Sequence, residues 1–309
     1  MPTALFTHKA CLGHIPGPAH PESPARLEAV YAALSDSAFD GLDRREAPRA
    51  TVDQIARVHP RDFVTQVLSN VPEKGTVRLD ADTIVSPGSG EAALRAAGAV
   101  CAAVDTVMNG EVNNAFCAVR PPGHHAEPAI PMGFCIFNSV AVGGTHAREK
   151  HGINRVAVID FDVHHGNGTQ TMFQDEPASF FASTHQSPLY PGTGGAHERG
   201  CANNIVNVPL SPYSGSDAFR EALDGTILPA LHGFRPDFVF ISAGFDAHAD
   251  DPLASLSFTD DDFAWATERI LEAAATLCDG RVVSTLEGGY DLAALGRSAA
   301  RHVGALMAA

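Results

Sequence analysis

The chain has 309 residues, 45% of them hydrophobic and 18% charged, so it can bury a large core within one α/β domain that spans residues 1–309. Its 21 basic and 36 acidic residues give a formal net charge of -15, which argues against a nucleic-acid partner and favours a cationic substrate or protein tail. The first residues lack a secretory leader and no apolar run approaches the roughly 18 residues of a membrane span, so we expect a cytoplasmic protein without a membrane partner.

Short apolar runs rich in β-branched residues alternate with longer Ala-rich stretches, a pattern typical of a mainly parallel sheet with helices on both faces. The apolar runs predict strands at 4–7, 115–119, 155–160, 179–183, 204–208, 238–242 and 282–286. Helices are predicted at 24–35, 90–109, 139–151, 216–227, 260–278 and 292–307. The six cysteines are scattered singly, so we expect reduced, mostly buried thiols.

Several predicted strands are followed by polar or Gly-rich segments, at 120–125, 160–168, 183–185, 243–246 and 287–290. Ligands of parallel α/β folds collect beyond the carboxyl ends of the strands, because the loops converge there on a rigid rim. We therefore expect these segments to meet at one site.

The segment 160–168 follows the apolar run 156–159 and carries the strongest metal signal in the chain. Residues two apart on an extended segment share one face, so Asp160, Asp162 and His164 should point together. A catalytic zinc site needs about three protein ligands and one open position, and Asp246 is the natural third ligand. This oxygen-rich set would also admit Fe²⁺ or Co²⁺. Any one of these residues alone would be typical of a cap or turn; the run as a whole indicates a metal site.

The adjacent residues His124 and His125 follow the Pro-Pro-Gly sequence at 121–123 and suit a general acid and base beside a metal-activated water. Such a pair alone is more typical of the surface or core, and gains force only beside the metal motif. Asp160 and Asn167 are the candidate partners that orient the two rings. A carboxylate raises the basicity of its histidine, whereas an amide orients the ring without adding charge, so the pair should be asymmetric.

The turn at 287–290 ends in Tyr290 after two glycines, which permit a sharp bend. Its phenol could then reach back over the metal and stabilise an oxyanion. An ordinary strand-to-helix turn is the alternative interpretation.

Taken together and in this order, these motifs resemble the metal-dependent histone deacetylase and acetylpolyamine amidohydrolase superfamily. The resemblance runs from His20-Pro21-Glu22 to Tyr290 and so covers nearly the whole chain. Asn167, Glu287 and the His-Pro-Glu segment resemble the class II branch, since class I members usually carry an aspartate at the position of Asn167.

The resemblance implies an arginase-like α/β fold with a central eight-stranded, mainly parallel sheet. It implies that Zn²⁺ is bound by Asp162, His164 and Asp246, that Tyr290 polarises the amide carbonyl, and that His125 serves as general base and then acid. It further implies a structural K⁺ held largely through backbone oxygens of Asp160, Asp162, His164, Ser183 and Thr184.

The same resemblance assigns the substrate tunnel. Phe134 and Tyr190 match its two aromatic walls, although both could be ordinary core aromatics. Asp82 falls near a rim acid of some relatives, but a plain surface turn is an equal alternative. Leu253 stands where some polyamine-specific relatives carry a glutamate, which favours an acyl-lysine substrate over an acetylpolyamine.

Three functions stay open at this point: a zinc deacetylase of acylated lysine in peptides, an amidase of small acyl-amines such as acetylpolyamines, and a noncatalytic acyl-group binder. An arginase-type enzyme with two manganese ions is disfavoured, because residues 165–167 offer no further carboxylate. Assembly as a homo-oligomer is left open.

Overall fold

Ten strands and ten α-helices are formed by residues 2–309, the part of the chain that the computed structural model describes. The strands are β1 (Thr3–Thr7), β2 (Asp43–Glu46), β3 (Val77–Arg78), β4 (Ile84–Val85), β5 (Asn114–Cys117), β6 (Val156–Asp160), β7 (Ser179–Gln186), β8 (Ile205–Leu210), β9 (Phe238–Ala243) and β10 (Val282–Leu286). The helices are α1 (Pro24–Ala33), α2 (Val52–Ile55), α3 (Arg61–Ser69), α4 (Ser89–Met108), α5 (Ser139–His151), α6 (Asn167–Phe173), α7 (Ser216–Ala222), α8 (Leu228–Phe234), α9 (Asp260–Leu277) and α10 (Leu292–Ala308).

Eight of the strands form one sheet in the order β2-β1-β5-β10-β9-β6-β7-β8, and every pairing in it is parallel. β3 and β4 form a separate antiparallel hairpin. The predicted eight-stranded, mainly parallel α/β fold is therefore confirmed, and the sheet is parallel throughout. Because all eight strands run the same way, the segments that follow them meet at one edge.

Both faces of the sheet are covered by helices, which explains why its central strands are continuous apolar runs. Phe240 of β9 faces α5, where a Cβ placed on Gly143 would lie 3.3 Å from its ring. On the opposite face, Phe116 of β5 contacts His302 of α10, with ring centroids 5.4 Å apart. The sequence thus forms a single α/β domain around this sheet.

All seven predicted strands and all six predicted helices are present, with small shifts at their ends. The helix predicted at 216–227 is divided: α7 passes through a π-helical turn at Leu223–Ile227 into α8. β2 was not predicted, because its sequence Asp-Arg-Arg-Glu has no apolar run and lies on the edge of the sheet, where charged residues are tolerated. Among residues 2–309, no helix combines the length and apolar character needed to span a bilayer.

Candidate active site and metal centre

The three predicted metal ligands meet at the carboxyl edge of the sheet. Asp162 and His164 follow β6, and Asp246 follows the neighbouring strand β9. His164 Nδ1 lies 3.2 Å from Asp162 Oδ1 and 3.2 Å from Asp246 Oδ2, and one donor atom from each of the three residues falls within 4.8 Å of the others. All three side chains are buried. One imidazole and two carboxylates are therefore grouped as a divalent cation requires.

Backbone amides fix the orientation of both carboxylates. Gly288 N–H donates to Asp162 Oδ2 at 2.8 Å, and Val163 N–H donates to Asp246 Oδ1 at 2.9 Å. Such supporting hydrogen bonds hold ligands in place before a metal binds.

Two glycines permit the close approach of the loops around these carboxylates. A Cβ on Gly244 would lie 2.0 Å from Asp162 Oδ2, and a Cβ on Gly288 would lie 2.0 Å from Asp246 Oδ2. No larger residue could occupy either position without displacing a ligand oxygen. Glycine at these two positions is therefore required by the geometry of the ligand group.

The charge balance of this cluster also fits a cation. Burial would lower the pKa of His164, but its hydrogen bonds to Asp162 and Asp246 and their charges outweigh burial and raise the pKa to about 10. Burial likewise acts to raise the pKa of Asp162, yet the neighbouring histidines bring it below its usual range. The carboxylates thus attract positive charge into a buried site, and a metal ion would replace the proton on His164.

The two adjacent histidines take the two predicted partners. His124 Nδ1 lies 3.0 Å from Asp160 Oδ2, and His125 Nδ1 lies 2.8 Å from Asn167 Oδ1. Their ring centroids are 4.0 Å apart, and both rings are buried. His124 Nε2 is also 3.8 Å from Asp162 Oδ2, which places the pair beside the metal ligands.

The two rings differ in charge. Burial acts to lower the pKa of His124, but the charges of Asp162 and Asp160 outweigh it and raise the pKa well above its usual value. The pKa of His125 is lowered well below its usual value by burial and by the positive charges of His124 and His164. The structure therefore favours a charged His124 beside a neutral His125.

Glu287 has a role that the sequence did not reveal. Its Oε2 accepts the backbone N–H groups of Gly123 and His124 at 2.6 and 3.1 Å, which ties β10 to the histidine loop. Burial raises its pKa to about 7. These partners are backbone groups more than 160 residues away in the chain, so no sequence pattern identifies them.

Tyr290 lies at the end of the Gly-Gly turn, and Arg26 holds the backbone of the residues before it. The fully buried Arg26 donates from Nε to Gly289 O and from Nη2 to Glu287 O, each at 2.5 Å. Its guanidinium carbon also lies 4.8 Å from the centre of the Tyr290 ring. Burial raises the pKa of Tyr290, so the phenol keeps its proton and remains a hydrogen-bond donor.

The predicted tunnel aromatics flank these groups. The Tyr190 ring is 5.2 Å from His125, and the Phe134 ring is 5.9 Å from Tyr290. Phe134 has φ 67°, an uncommon conformation for a bulky residue, and the preceding Gly133 is so close to His125 that a Cβ would lie 2.4 Å from Cδ2. The loop that carries Phe134 is therefore packed directly on His125.

Asp82 supports this loop. Its Oδ1 accepts Gly133 N–H at 3.1 Å, and the hydroxyl oxygen of the next residue, Thr83, accepts Phe134 N–H at 3.2 Å. Asp82 is partly buried, and its carboxylate contacts the backbone of the loop that carries Phe134. Leu253 is also partly buried and lies seven residues after Asp246 in the chain.

The five residues predicted to bind K⁺ lie on two neighbouring segments. Asp160 of β6 pairs in register with Ser183 of β7, and Asp162 and His164 follow β6 directly. The buried Thr184 Oγ1 has no hydrogen-bond partner within the described residues 2–309. An unpaired buried oxygen is costly without a donor or a cation, so it is compatible with an ion nearby.

A second group with metal-binding side chains lies between α4 and α5. Asp105 Oδ1 is 2.8 Å from His146 Nε2 and 2.7 Å from His151 Nε2. However, Arg57 Nη1 donates to His146 Nδ1 at 2.6 Å, so the proton of a neutral His146 is on Nε2. That nitrogen then has no lone pair for a metal, and the group is a hydrogen-bond and ion-pair network.

Comparison with known proteins places the whole arrangement in one family. The model of the histone deacetylase domain matches residues 20–306. The chain is 41% identical over 316 residues to a rice protein named histone deacetylase 10, chloroplastic, covering 96% of this chain and 71% of that protein. It is 38% identical over 311 residues to the histone deacetylase-like amidohydrolase of Pseudomonas aeruginosa, covering 93% and 81% of the two chains.

The fold agrees with these matches. The crystal structure of the HDA15 HD domain superimposes with a TM-score of 0.92 at 34% sequence identity, and the match covers 99% of this chain and 89% of that one. The family, the homologous amidohydrolase and the grouping of metal-binding side chains at the sheet edge agree with one another. The chain belongs to the histone deacetylase family and is a hydrolase of the deacetylase and amidohydrolase type.

Proposed function

We propose that this protein is a zinc-dependent deacetylase that hydrolyses the N-acetyl or N-acyl amide of lysine side chains in peptides. The observation that carries the proposal is the grouping of Asp162, His164 and Asp246 beside two histidines with different partners. A metal ligand set, a neutral base and a charged neighbour are the groups that amide hydrolysis by activated water requires.

Asp162, His164 and Asp246 would hold the cation, since their donor atoms and the glycine-lined approach fit a small divalent ion. When bound, the cation polarises the amide carbonyl and lowers the pKa of a water molecule. The imidazole and carboxylate ligands favour Zn²⁺, and Fe²⁺ or Co²⁺ would fit the same set.

His125 would receive the proton from the attacking water. Asn167 Nδ2 donates to Glu127 Oε1 at 2.8 Å, so Asn167 Oδ1 faces His125 and accepts its Nδ1–H. The lone pair of the neutral ring is therefore on Nε2, the atom free to take a proton. The same nitrogen can then return the proton to the leaving amine.

His124 would act through its charge. With Asp160 on Nδ1 and Asp162 near Nε2, it remains cationic and stabilises negative charge that develops on the substrate. Tyr290 would donate its hydroxyl hydrogen to the same developing oxyanion, and its raised pKa keeps that hydrogen in place.

Phe134 and Tyr190 would enclose the aliphatic stem of the substrate, with Leu253 and Asp82 near the entrance. Apolar walls around the amide exclude water and strengthen the electrostatic interactions within. The apolar Leu253 offers no partner for a distant ammonium group, which favours acyl-lysine over acetylpolyamine. A structural K⁺ bound by Asp160, Asp162, His164, Ser183 and Thr184 is part of the proposal, supported by the unpaired Thr184 hydroxyl.

Turnover of an acetyl-lysine peptide and of N-acetylputrescine by the same zinc-loaded protein tests the substrate class. We expect a kcat/KM for the peptide at least about tenfold higher, a difference of roughly 1.4 kcal/mol in transition-state binding. A strong preference for N-acetylputrescine would replace the proposal with the small-molecule amidase. Absence of turnover together with measurable peptide binding would support the noncatalytic acyl-group binder.

A cytoplasmic location, the absence of nucleic-acid and membrane partners, and the question of homo-oligomers stay predictions from the sequence. The word chloroplastic in the name of the rice relative applies to that protein.

A further inference from the structure

Asp251 is a buried carboxylate between the Asp246 loop and the Tyr290 turn. Its side chain accepts three backbone N–H groups and is only 7% exposed. Asp251 Oδ2 accepts Tyr290 N–H at 2.7 Å and Asp291 N–H at 3.3 Å, and Oδ1 accepts Leu253 N–H at 3.0 Å. One side chain thus connects the proposed oxyanion donor Tyr290 with Leu253, which is proposed to lie near the tunnel entrance.

Arg26 and Asp251 hold the Tyr290 turn from its two sides. Arg26 donates to the carbonyls of Glu287 and Gly289, before the tyrosine, and Asp251 accepts the amides of Tyr290 and Asp291. Gly289 has φ 121°, a conformation that residues with a side chain rarely adopt, and glycine restricts its own backbone least of all residues. The contacts of Arg26 and Asp251 therefore contribute to the position of the phenol.

We propose that Asp251 is a positioning residue that acts through Tyr290, by holding its backbone so that the hydroxyl lies over the amide carbonyl of the substrate. The inference rests on the proposed role of Tyr290 as the oxyanion donor. Two backbone amides donate to one Asp251 oxygen and a third donates to the other, so this one side chain joins the two segments through backbone contacts.

Asp251→Asn keeps the size of the side chain but removes its charge and one of its two acceptor oxygens. All three partners of Asp251 are N–H donors, whereas an asparagine side chain has one acceptor oxygen and one donating NH₂ group. In either orientation, the NH₂ group of the amide therefore faces at least one backbone N–H and repels it. The adjacent Asp250 is the matched control, because its carboxylate is 60% exposed and contacts only the side chains of His248 and Arg297.

The test is a double-mutant cycle of Asp251→Asn and Tyr290→Phe in the zinc-loaded full chain. An activated trifluoroacetyl-lysine peptide is the substrate, so that slow variants remain measurable. We expect Asp251→Asn to lower kcat about 10- to 100-fold in the wild-type background, since a displacement near 1 Å can cost that much. Zinc content and the substrate dissociation constant should stay within about twofold of wild type, and Asp250→Asn should change kcat by less than about twofold.

The Tyr290→Phe variant distinguishes a positioning role of Asp251 from a purely structural one. In Tyr290→Phe the hydroxyl is absent, so Asp251→Asn should cost less than about threefold in kcat. An equal loss in both backgrounds, or loss of zinc from Asp251→Asn, would overturn the proposal and assign Asp251 a purely structural role. If Asp251→Asn fails to fold, the cycle is run with Asp251→Glu, which keeps both acceptor oxygens, and an additive result again overturns it.

The proposed function is tested separately by the same cycle. If Tyr290→Phe alone leaves kcat unchanged, the role of Tyr290 fails, whatever Asp251 does. If Tyr290→Phe lowers kcat and the two changes are additive, the proposed function stands and the positioning role of Asp251 fails.

Discussion

His125 and Asn167 are joined by a 2.8 Å contact between Nδ1 and Oδ1, and this contact defines which nitrogen of the ring can accept a proton. The neighbouring His124 instead faces the carboxylate of Asp160 at 3.0 Å. The two rings are adjacent in the chain but differ in charge. Burial and the positive charges of His124 and His164 lower the pKa of His125 and keep it neutral. The amide of Asn167 orients the ring and leaves its lone pair on Nε2.

Replacing Asn167 by aspartate should raise the pKa of His125, because a carboxylate stabilises the charged ring. A free base is needed for attack, so the acidic limb of the kcat/KM profile should move up by about 1 pH unit or more. The new carboxylate would also face Glu127, which now accepts from Asn167 Nδ2 at 2.8 Å. The double variant Asn167→Asp with Glu127→Gln removes that repulsion and should show the same upward movement. An acidic limb that stays in place would exclude His125 as the base.

Replacing Tyr290 by phenylalanine removes only the hydroxyl. We expect kcat to fall about 100- to 1000-fold, the usual effect of deleting an oxyanion donor, while the dissociation constant of the substrate changes little. Single-turnover kinetics and equilibrium binding of the same acetyl-lysine peptide separate the two effects. A matching loss in binding would show that Tyr290 contacts the ground state and has no special role in the transition state.

Gly288→Ala should damage the metal centre, because the added Cβ would lie 2.0 Å from Asp246 Oδ2 and 2.5 Å from Asp162 Oδ2. We expect weaker zinc binding and a parallel loss of activity, measured by competition with a chelating dye. Gly304→Ala is the control, since no heavy atom lies within 4 Å of its added Cβ and the residue is exposed in α10. It should retain zinc and gain about 0.5–1 kcal/mol of stability. Equal zinc affinity in the two variants would contradict the steric argument.

His302 should contribute to loss of stability in acid. It is fully buried between Thr267 Oγ1 at 2.6 Å and Ser284 Oγ at 2.8 Å, and burial lowers its pKa to about 3. The unfolded chain binds the proton near its usual pKa of about 6.5, so the stabilisation by the neutral ring is complete above pH 6.5 and is lost as the pH falls towards 3.

His302→Gln has no titratable group at position 302, so comparison with wild type isolates the contribution of the His302 ring to the pH dependence of stability. The difference in free energy of unfolding between wild type and His302→Gln should narrow by about 2 kcal/mol between pH 7 and pH 5. Urea denaturation at several pH values measures it. A difference that is constant over this range would mean that His302 takes up a proton in the folded state.

The sequence predicts the metal-binding group because its members follow strand ends. β6 ends at Asp160, Asp162 and His164 come just beyond it, and Asp246 comes just beyond the neighbouring strand β9. A parallel sheet brings these two segments to one edge. The partners Asp160 and Asn167 belong to the same short segment. The tunnel residues and the K⁺ residues came from family resemblance, and their roles stay predictions.

The supporting contacts could not be predicted, because they join side chains to backbone groups far away in the chain. Glu287 accepts amides of the histidine loop, Asp82 accepts Gly133 N–H, and Asp251 accepts the amide of Tyr290. Backbone amides carry no residue-specific pattern, so such contacts appear only once the fold is known. The edge strand β2 was missed for a related reason: its pairing with β1 uses the backbone and needs no apolar side chains.

The zinc content of the wild-type protein and of Asp246→Ala is the most direct test of the metal site. After reconstitution and dialysis, we expect about one zinc per wild-type chain and turnover of an acetyl-lysine peptide, with neither in Asp246→Ala. The exposed Asp250, four residues further along the chain, provides the control. Asp250→Ala should retain both the zinc and the turnover. A full equivalent of zinc in Asp246→Ala, or a folded wild-type protein that binds none, would contradict the account.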